Sequence, residues 1–411
     1  MVPHGRLAAA ETRGVLASAK NRLRLCSPLA AWLVALALAA AQGYAALRRP
    51  LDDRLSDLHV YTGAVRLLRD GGSLYDFVGH NDAPFTYPPF AGLLFVPLSL
   101  LDEAVLRVLW TALTIAAVCG LAVLTARHAA LPRRLPVSAG AGLVAACLFA
   151  SAPVSSNIRY GQVSVFLALL ILVDLTRTGR LAGAWTGLAA AVKLTPLLFL
   201  PFLYLAGRRR AALTGLGTVL GGTALAWAAL PSDSRRYWLT EVWDVNRVGH
   251  ITTGGNQSLN GALLRLAVPD GARTALVALG ALAVAVLAFR RAVRAARTGE
   301  WFTAAVVVGA ASVVISPVSW THHLVWLVLA ALLPLPGPAW HRLVWTVTAG
   351  LVMVAPVTSL DRVLPGLLGQ LAADTRLLLA IAVACLVPFG PRPIRESGPE
   401  QRVTAPAPAP R

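Results

Sequence analysis

Long apolar stretches separated by short polar or basic segments make up most of the chain. Stretches of roughly 15–25 residues recur between residues 29 and 388, and about 20 apolar residues in a helix suffice to cross a bilayer. The pattern predicts an all-α polytopic membrane protein. The predicted membrane segments are residues 29–47, 104–126, 137–152, 163–176, 181–206, 211–230, 272–289, 302–315, 324–335, 344–355 and 377–388.

Two apolar segments are not predicted to cross the membrane once, because the basic clusters along the chain determine which loops are cytoplasmic. Cytoplasmic loops are enriched in Lys and Arg, so every basic cluster is placed inside. Segment 90–101 is short and is followed by two acidic residues, which predicts a re-entrant or interfacial helix. Segment 181–206 has basic clusters at both ends, which predicts two half-helices that meet at residues 193–196, where Pro196 breaks the helix.

This assignment of sides predicts about twelve crossings with both termini inside the cell. The domains are then a basic cytoplasmic tail at 1–28, a membrane domain at 29–390 and a disordered cytoplasmic tail at 391–411. Alternating Ala and Pro give that last tail low complexity. The first outer loop is 48–89, with amphipathic helices, and the second large outer loop is 231–271.

Polar and aromatic residues collect on the outer side of this topology, whereas the inner loops carry arginines and little else. Polar residues at membrane depth are costly and usually mark a site or a pathway. We therefore expect a site that faces away from the cytoplasm. The candidates are Asp57, His59, Tyr61, Tyr87, Arg159, Gln162, Lys193, Asn256, Gln257, Trp320, His322 and His323.

Each candidate also has a structural interpretation. Asp57 begins an amphipathic segment, where an acidic residue favours the start of a helix. Asn and Gln residues can cap helices or bond across them, and His322 and His323 could be an interfacial pair. Lys193 lies within an apolar run and needs a carboxylate or phosphate partner there.

Composition and charge narrow the function classes. The chain is 56% hydrophobic and 14% charged, whereas soluble domains carry about 25% charged residues. The net charge of +18 comes mostly from arginines beside apolar segments, a pattern typical of orientation signals and lipid contacts rather than nucleic-acid binding. The sequence contains no Walker, GxSxG, HExxH or paired-cysteine motif, so no metal site or cofactor is predicted. An enzyme with an external site needs an activated substrate carried on a lipid.

Seven ordered motifs resemble glycosyltransferase family 87, the polyprenyl-phosphate-dependent membrane α-1,2-mannosyltransferases. Taken together they extend from residue 57 to residue 326. The matching motifs are DLHVY at 57–61, GGSLYDF at 71–77, FTYPPFAGLLFVPL at 85–98, RYGQVSVFLALLILVDL at 159–175, GLAAAVKLTPLLFL at 187–200, NQSLNGALLRL at 256–266 and SPVSWTHHLVW at 316–326.

The resemblance implies a GT-C fold in the cell membrane and a specific reaction. Family members transfer mannose, with inversion, from a β-linked polyprenyl-phosphate donor to a hydroxyl of a lipid-linked acceptor. The family's catalytic carboxylate lies early in the first outer loop, where Asp57 matches it. We expect Lys193, Arg159 and His322 to bind the donor phosphate. The sugar and acceptor contacts are expected from His59, Tyr61, Tyr87, Gln162, Asn256, Gln257, Trp320 and His323.

Three other interpretations remain open on sequence grounds. An arabinofuranosyltransferase that uses decaprenyl-phosphoarabinose would need the same residue types. A transporter or flippase of lipid-linked sugars is disfavoured, because transporters often pair broken helices in corresponding halves and only segment 181–206 is broken here. A scaffold protein would leave Asp57, Lys193 and His322 unexplained.

Overall fold

The protein is a bundle of α-helices, seen in a computed structural model that describes residues 28–79, 82–132 and 135–390. Within these ranges there is no β-strand, and Val78 and Pro84 form an isolated bridge. Both predicted cytoplasmic tails lie outside the described residues, apart from Pro28, where the first helix begins. The prediction of an all-α protein is confirmed for the part of the chain described.

The helices differ greatly in length, and several short 3₁₀ turns join them. The longer ones alternate with elements of only seven to nine residues. In chain order they are α1 Pro28–Leu47, α2 Ser56–Arg69, α3 Pro89–Phe95, α4 Glu103–Ala126, α5 Val137–Ala150, α6 Ala152–Tyr160, α7 Ser164–Thr176, α8 Ala184–Val192, α9 Phe199–Leu205, α10 Arg209–Ala229, α11 Pro231–Leu239, α12 Leu259–Arg265, α13 Asp270–Arg297, α14 Trp301–Ile315, α15 Val325–Ala331, α16 Ala339–Val354, α17 Gly366–Ala373 and α18 Thr375–Cys385.

Among the described residues, four helices have the length and apolar composition to cross a membrane by themselves, namely α1, α4, α10 and α13. Two bent pairs, α5–α6 and α17–α18, raise that number to six if each pair is one span. These helices support the predicted membrane character. The number of crossings stays a prediction, because helices such as α7, with 13 residues, extend only about 20 Å.

Helix α14 forms the centre of the bundle. Of its 15 residues, 12 are buried, and these lie on every side of the helix. A helix that is apolar all round is stable only where protein or lipid surrounds it completely. The neighbours of α14 include α13, α18, α7 and α15. Its C-terminal end leads into residues 316–323, which carry the Trp-Thr-His-His sequence.

The break predicted at residues 193–196 is present. Helix α8 ends at Val192, and Lys193 is extended, with φ −148° and ψ 133°. A 3₁₀ turn at Thr195–Leu198, with Pro196 in its first turn, then leads into α9. The proline removes a backbone donor and blocks a continuous helix, so the chain reverses around Lys193.

Two other membrane segments differ in shape from the simplest expectation. The predicted crossing 137–152 turns by 67° between α5 and α6, because Ser151 is extended and Pro153 follows it. Helix α6 then ends at Gly161, whose φ of 70° starts the turn that carries Gln162. Segment Pro89–Leu100 is a short apolar helix, so at 12 residues it extends only about 18 Å and is too short to cross alone.

Small residues let α8 lie directly against α10. A Cβ atom added to Gly187 would stand 2.4 Å from the backbone oxygen of Gly215. Gly183, which precedes α8, has a φ of 94°, and a Cβ there would lie 1.8 Å from the oxygen of Ala211. Close approach through small residues is a common way for membrane helices to associate. This contact supports the half-helix that ends at Lys193.

We expect Gly183→Ala to destabilise the protein by about 2–4 kcal/mol, because it combines a left-handed backbone with a clash against backbone atoms. The measurement is the melting temperature in detergent micelles. Gly217→Ala is the matched control, since a Cβ atom added to Gly217, in α10, would meet no atom within 4 Å. An equal effect of the two substitutions would contradict the proposed α8–α10 contact.

Candidate active site

A cavity of about 760 Å³ opens at one end of the bundle. Volumes of roughly 300–1,000 Å³ are typical of small-molecule sites. Six separate parts of the chain line it. They are the start of α2, the residues before α3, the end of α6 with Gln162, the break at Lys193, and the loops that follow α11 and α14.

Helix α2 places Asp57 in this cavity. The helix is amphipathic, and Leu58, Tyr61 and Val65 on its apolar face are buried. Asp57 lies in the first turn, where the exposed backbone N–H groups favour a negative charge. Tyr61 follows one helical turn later and lines the same cavity. The side chains of Asp57 and Tyr61 therefore face the same space.

Gln162 joins Asp57 to two buried tyrosines. The Gln162 Nε2 atom donates a hydrogen bond to Asp57 Oδ2. Its Oε1 atom accepts from Tyr61 Oη at 3.1 Å and from Tyr87 Oη at 3.0 Å, and the two phenol oxygens are 2.8 Å apart. Tyr61, Tyr87 and Gln162 are each at least 94% buried. The carboxylate therefore belongs to a fixed polar network.

Burial raises the pKa of Asp57 to about 6, while the hydrogen bond from Gln162 and the positive charge of Lys193 oppose that increase. A carboxylate with such a pKa is mostly ionised at neutral pH, yet it is far more basic than an ordinary aspartate. Efficient general bases have pKa values close to the working pH. The environment of Asp57 therefore suits proton abstraction.

Lys193 faces a histidine whose tautomer the backbone determines. The backbone N–H of Trp320 donates to His323 Nδ1 at 3.1 Å, so neutral His323 carries its proton on Nε2. That Nε2 atom lies 2.9 Å from Lys193 Nζ, and Lys193 Nζ also donates to Tyr87 Oη at 3.3 Å. With Lys193 charged, both nitrogens are donors and do not bond to each other, so the pair favours an anionic oxygen that accepts from both.

His322 and Trp320 also line the cavity. His322 is 4% exposed, and its Nδ1 atom lies 3.5 Å from Ser156 Oγ. No hydrogen-bond partner of its Nε2 atom occurs in the described ranges. A buried polar atom of this kind usually has a functional explanation, so His322 remains a candidate for ligand binding.

Arg159 lines the cavity, but it is already paired. Its Nη2 atom donates to Asp53 Oδ2 at 3.0 Å, and Asp53 also binds Arg49. The Arg159 side chain is 40% exposed. It therefore lies at the rim of the cavity, where its charge is partly neutralised, unlike Lys193.

The structure places His59 outside the cavity. Its Nδ1 atom lies 3.5 Å from Glu103 Oε1, and its ring packs against Phe77. His59 follows Asp57 by two residues, which is about 200° around an α-helix. His59 is not among the residues that line the cavity, so the structure does not support its predicted sugar contact, in agreement with the helical spacing of α2.

Asn256 and Gln257 are buried structural residues. Asn256 donates to the backbone oxygen of Ile251 at 2.9 Å, and its side-chain oxygen accepts from the N–H of Ser319 at 2.9 Å. The Gln257 amide bonds to backbone atoms of Ala373 and Leu377. Their polar groups hold the loop before α12 against its neighbours, so the prediction of direct sugar contacts is not supported for either residue.

Glu241 and Arg247 of the second large loop complete the wall of the cavity, and neither residue is among the candidates predicted from sequence. Glu241 accepts from Arg236 at 2.6 Å and pairs with Arg247, whose Nη2 atom donates to the backbone oxygen of Tyr75 at 2.6 Å. Arg236 also pairs with Asp76 at 2.5 Å. These bonds join the two outer loops. Alternating charges in an outer loop were the only sequence signal for them.

The described ranges contain no group of three or more His, Cys, Asp or Glu residues that could hold a metal ion. Asp53 is bonded to arginines instead. The absence of a metal or cofactor requirement stays a prediction.

The family model and the similar sequences point to the same protein family. A family model described as glycosyltransferase family 87 matches residues 85–317. Over 291 residues the chain is 36% identical to a Mycolicibacterium smegmatis protein named polyprenol-phosphate-mannose-dependent α-(1-2)-phosphatidylinositol pentamannoside mannosyltransferase, which covers 69% of this chain and 70% of that protein.

A second relative, from Mycobacterium tuberculosis, is 36% identical over 298 residues and covers 67% of this chain and 69% of its own length. It is named polyprenol-phosphate-mannose-dependent α-(1-2)-phosphatidylinositol mannoside mannosyltransferase. The crystal structure of ArnT from Cupriavidus metallidurans bound to undecaprenyl phosphate aligns with 86% of this chain and 76% of that one, at 15% identity and a TM-score of 0.35. A similarity that low supports no inference.

The raised pKa of Asp57 predicts that its charge destabilises the folded protein. A folded-state pKa above the unfolded value stabilises the fold at low pH, and that contribution is lost as the pH rises through about 6. Asp57→Asn should therefore raise the melting temperature at pH 8, by an amount equivalent to roughly 3 kcal/mol, and change it little at pH 4. Lower stability of Asp57→Asn at pH 8 would show that the carboxylate serves the fold instead.

Proposed function

The chain belongs to glycosyltransferase family 87, and from this membership we propose that it transfers mannose from polyprenyl-phosphate-mannose to a hydroxyl of a lipid-linked mannoside. The relatives' names supply the donor and the α-1,2 linkage. The observation that carries the proposal is the cavity itself, in which Asp57 and Lys193 face the same space. In this cavity a base, Asp57, lies near a cation that can bind phosphate, Lys193.

The proposed reaction is a single inverting displacement. The acceptor hydroxyl oxygen attacks the anomeric carbon of the mannosyl donor and forms the new glycosidic bond. At the same time the bond from that carbon to the phosphate oxygen breaks, and the electron pair leaves with polyprenyl phosphate. Asp57 takes the hydroxyl proton as general base, a role that contributes about 10²–10⁴-fold in rate.

The leaving phosphate gains negative charge as its bond to the sugar breaks. Donors that are already in place at that position stabilise the transition state more than the ground state. We assign this role to Lys193 Nζ and His323 Nε2, which lie 2.9 Å apart, with His322 beside them and Arg159 at the rim. His323, selected from sequence for sugar contacts, is thereby reassigned to the phosphate. Trp320 offers an aromatic surface for a sugar or an isoprenoid unit.

The arrangement of helix ends supports a site that faces away from the cytoplasm. Arg208 donates to the backbone oxygen of Leu175 at 2.7 Å and stacks 3.4 Å from the centre of the Trp301 ring. The arginine-rich turns before α8, α10 and α14 therefore meet at one end, opposite Gln162 and Lys193. Arginine-rich ends normally face the cytoplasm. We infer a GT-C architecture with about twelve crossings, cytoplasmic termini and an extracytoplasmic site.

The acceptor is proposed at the level of its class. One relative is named for a phosphatidylinositol pentamannoside and the other for a phosphatidylinositol mannoside. Each of these two lipids carries a mannose hydroxyl on a lipid anchor. A cavity of about 760 Å³ that opens at the end of the bundle can admit a sugar headgroup while the lipid chains stay in the membrane.

Membranes that contain the protein should transfer labelled mannose from polyprenyl-phosphate-mannose to a phosphatidylinositol mannoside. Asp57→Asn should lower the rate at least about 100-fold, because no base remains. Asp70→Asn is the matched control, since Asp70 is exposed just after α2, and it should keep the wild-type rate. Transfer only from a decaprenyl-phosphoarabinose donor would overturn the choice of sugar.

Replacement of Lys193 by Met should lower kcat about 100–1,000-fold, with a smaller change in KM, because the lysine stabilises charge that develops in the transition state. Its positive charge also lowers the pKa of Asp57, so the acid limb of the pH–rate profile should move from about pH 6 to a higher pH. Arg69→Gln, at the exposed end of α2, controls for loss of a positive charge. A change confined to KM would place Lys193 outside the reacting centre.

A further inference from the structure

The side-chain amide of Gln162 is held in one orientation. Its Oε1 atom accepts hydrogen bonds from the phenol groups at 3.0 and 3.1 Å, which leaves Nε2 directed to Asp57 Oδ2. If the amide turned over, its oxygen would face the carboxylate of Asp57, and two acceptors would repel each other. At 6% exposure, Gln162 has little access to water that could replace these bonds.

The hydrogen bonds form a chain that runs in a single direction. Lys193 Nζ donates to Tyr87 Oη, Tyr87 Oη donates to Gln162 Oε1, and Gln162 Nε2 donates to Asp57 Oδ2. Tyr61 Oη lies within bonding distance of both Tyr87 Oη and Gln162 Oε1. Lysine and amide N–H groups can only donate and an ionised carboxylate can only accept, so the two ends of the chain define its direction.

Only one oxygen of Asp57 takes part in this chain. Oδ2 receives the Gln162 N–H group, whereas Oδ1 has no hydrogen-bond partner within the described part of the chain. We propose that Gln162 is a positioning residue: it occupies Oδ2 and thereby presents Oδ1 to the acceptor hydroxyl as the base. This rests on the proposed transferase function, and it replaces the sugar contact expected for Gln162 from sequence.

Other charged and titratable groups reach the same cavity, and they set the background for any pH test. The positive charge of Lys193 lowers the pKa of the Asp57 carboxyl. Tyr61 and Tyr87 remain neutral phenols, because burial raises the pKa of each above its ordinary value. The remaining groups are Asp53, Asp82, Arg159, Tyr160, Tyr237, Glu241, Asp244, Arg247, His250, His322 and His323.

The test compares pH–rate profiles of the wild type, Gln162→Met and Gln162→Glu in the membrane-embedded full chain. Methionine has a similar length but removes the hydrogen bond that lowers the pKa of Asp57, so the acid limb should move about one pH unit higher. Glutamate places a second carboxyl group against Asp57, so the acid limb of the Gln162→Glu profile should move about two pH units or more to higher pH. At pH 6.5, kcat of Gln162→Met should fall about 10–100-fold, with KM of both substrates changed less than about threefold.

A direct sugar contact predicts a different result. Loss of that contact would raise KM and leave the acid limb near pH 6, and such a result would overturn the positioning role. Gln42→Met is the matched control, because Gln42 also uses its amide between helices, on the backbone oxygen of Phe149, but does not line the cavity. The acid limb of the Gln42→Met profile should lie at the same pH as that of the wild type, even if the melting temperature of this variant falls.

A stability measurement separates this inference from the proposed function. The difference in melting temperature between each protein and its Asp57→Asn derivative, followed from pH 4 to pH 9, reports the ionisation of Asp57 without any transfer reaction. In the Gln162→Met background its midpoint should lie about one unit above that of the wild type. An unchanged midpoint would overturn the role of Gln162, whereas a wild type that transfers no mannose would overturn the proposed function alone.

Discussion

The site depends on the placement of two opposite charges, those of Asp57 and Lys193, in one cavity. Either charge alone at this position would be costly, because the bundle and its lipid surroundings solvate ions poorly. Together they reduce that cost, and the neutral phenols and the Gln162 amide between them supply further hydrogen bonds. A carboxylate can therefore stay ionised at neutral pH and still be a stronger base than aspartate in water.

This pairing depends on two interruptions of helical structure. Lys193 reaches the cavity because the chain breaks before Pro196 and reverses, and Gln162 reaches it because Gly161 ends α6 in a left-handed conformation. Both interruptions lie next to helices that are tightly packed, notably α8 against the small residues of α10. The rigid parts of the bundle thus hold the irregular parts that carry the polar groups.

Periodicity and arginine clusters predicted much of this arrangement. The amphipathic α2, the break at Lys193 and the membrane character follow from local features that a chain shows in any context. His59 was grouped with Asp57 because the outer loop was treated as one polar set, although its helical spacing places it on another side of α2. Asn256 and Gln257 could not be judged in this way, because the backbone groups that occupy their amides come from residues as distant as Ala373 and Leu377.

By itself the sequence determined the class of protein, most helical segments and the family, and it selected Asp57 as the candidate base, because apolar length, helix-breaking residues and ordered motifs are local properties. The tertiary structure decided which polar residues share the cavity and in what state. It brings Gln162 to Asp57 over 105 residues of sequence and His323 to Lys193 over 130. A pKa, a tautomer and the direction of a hydrogen-bond chain depend on neighbours in space, and those neighbours are known only once the helices are packed.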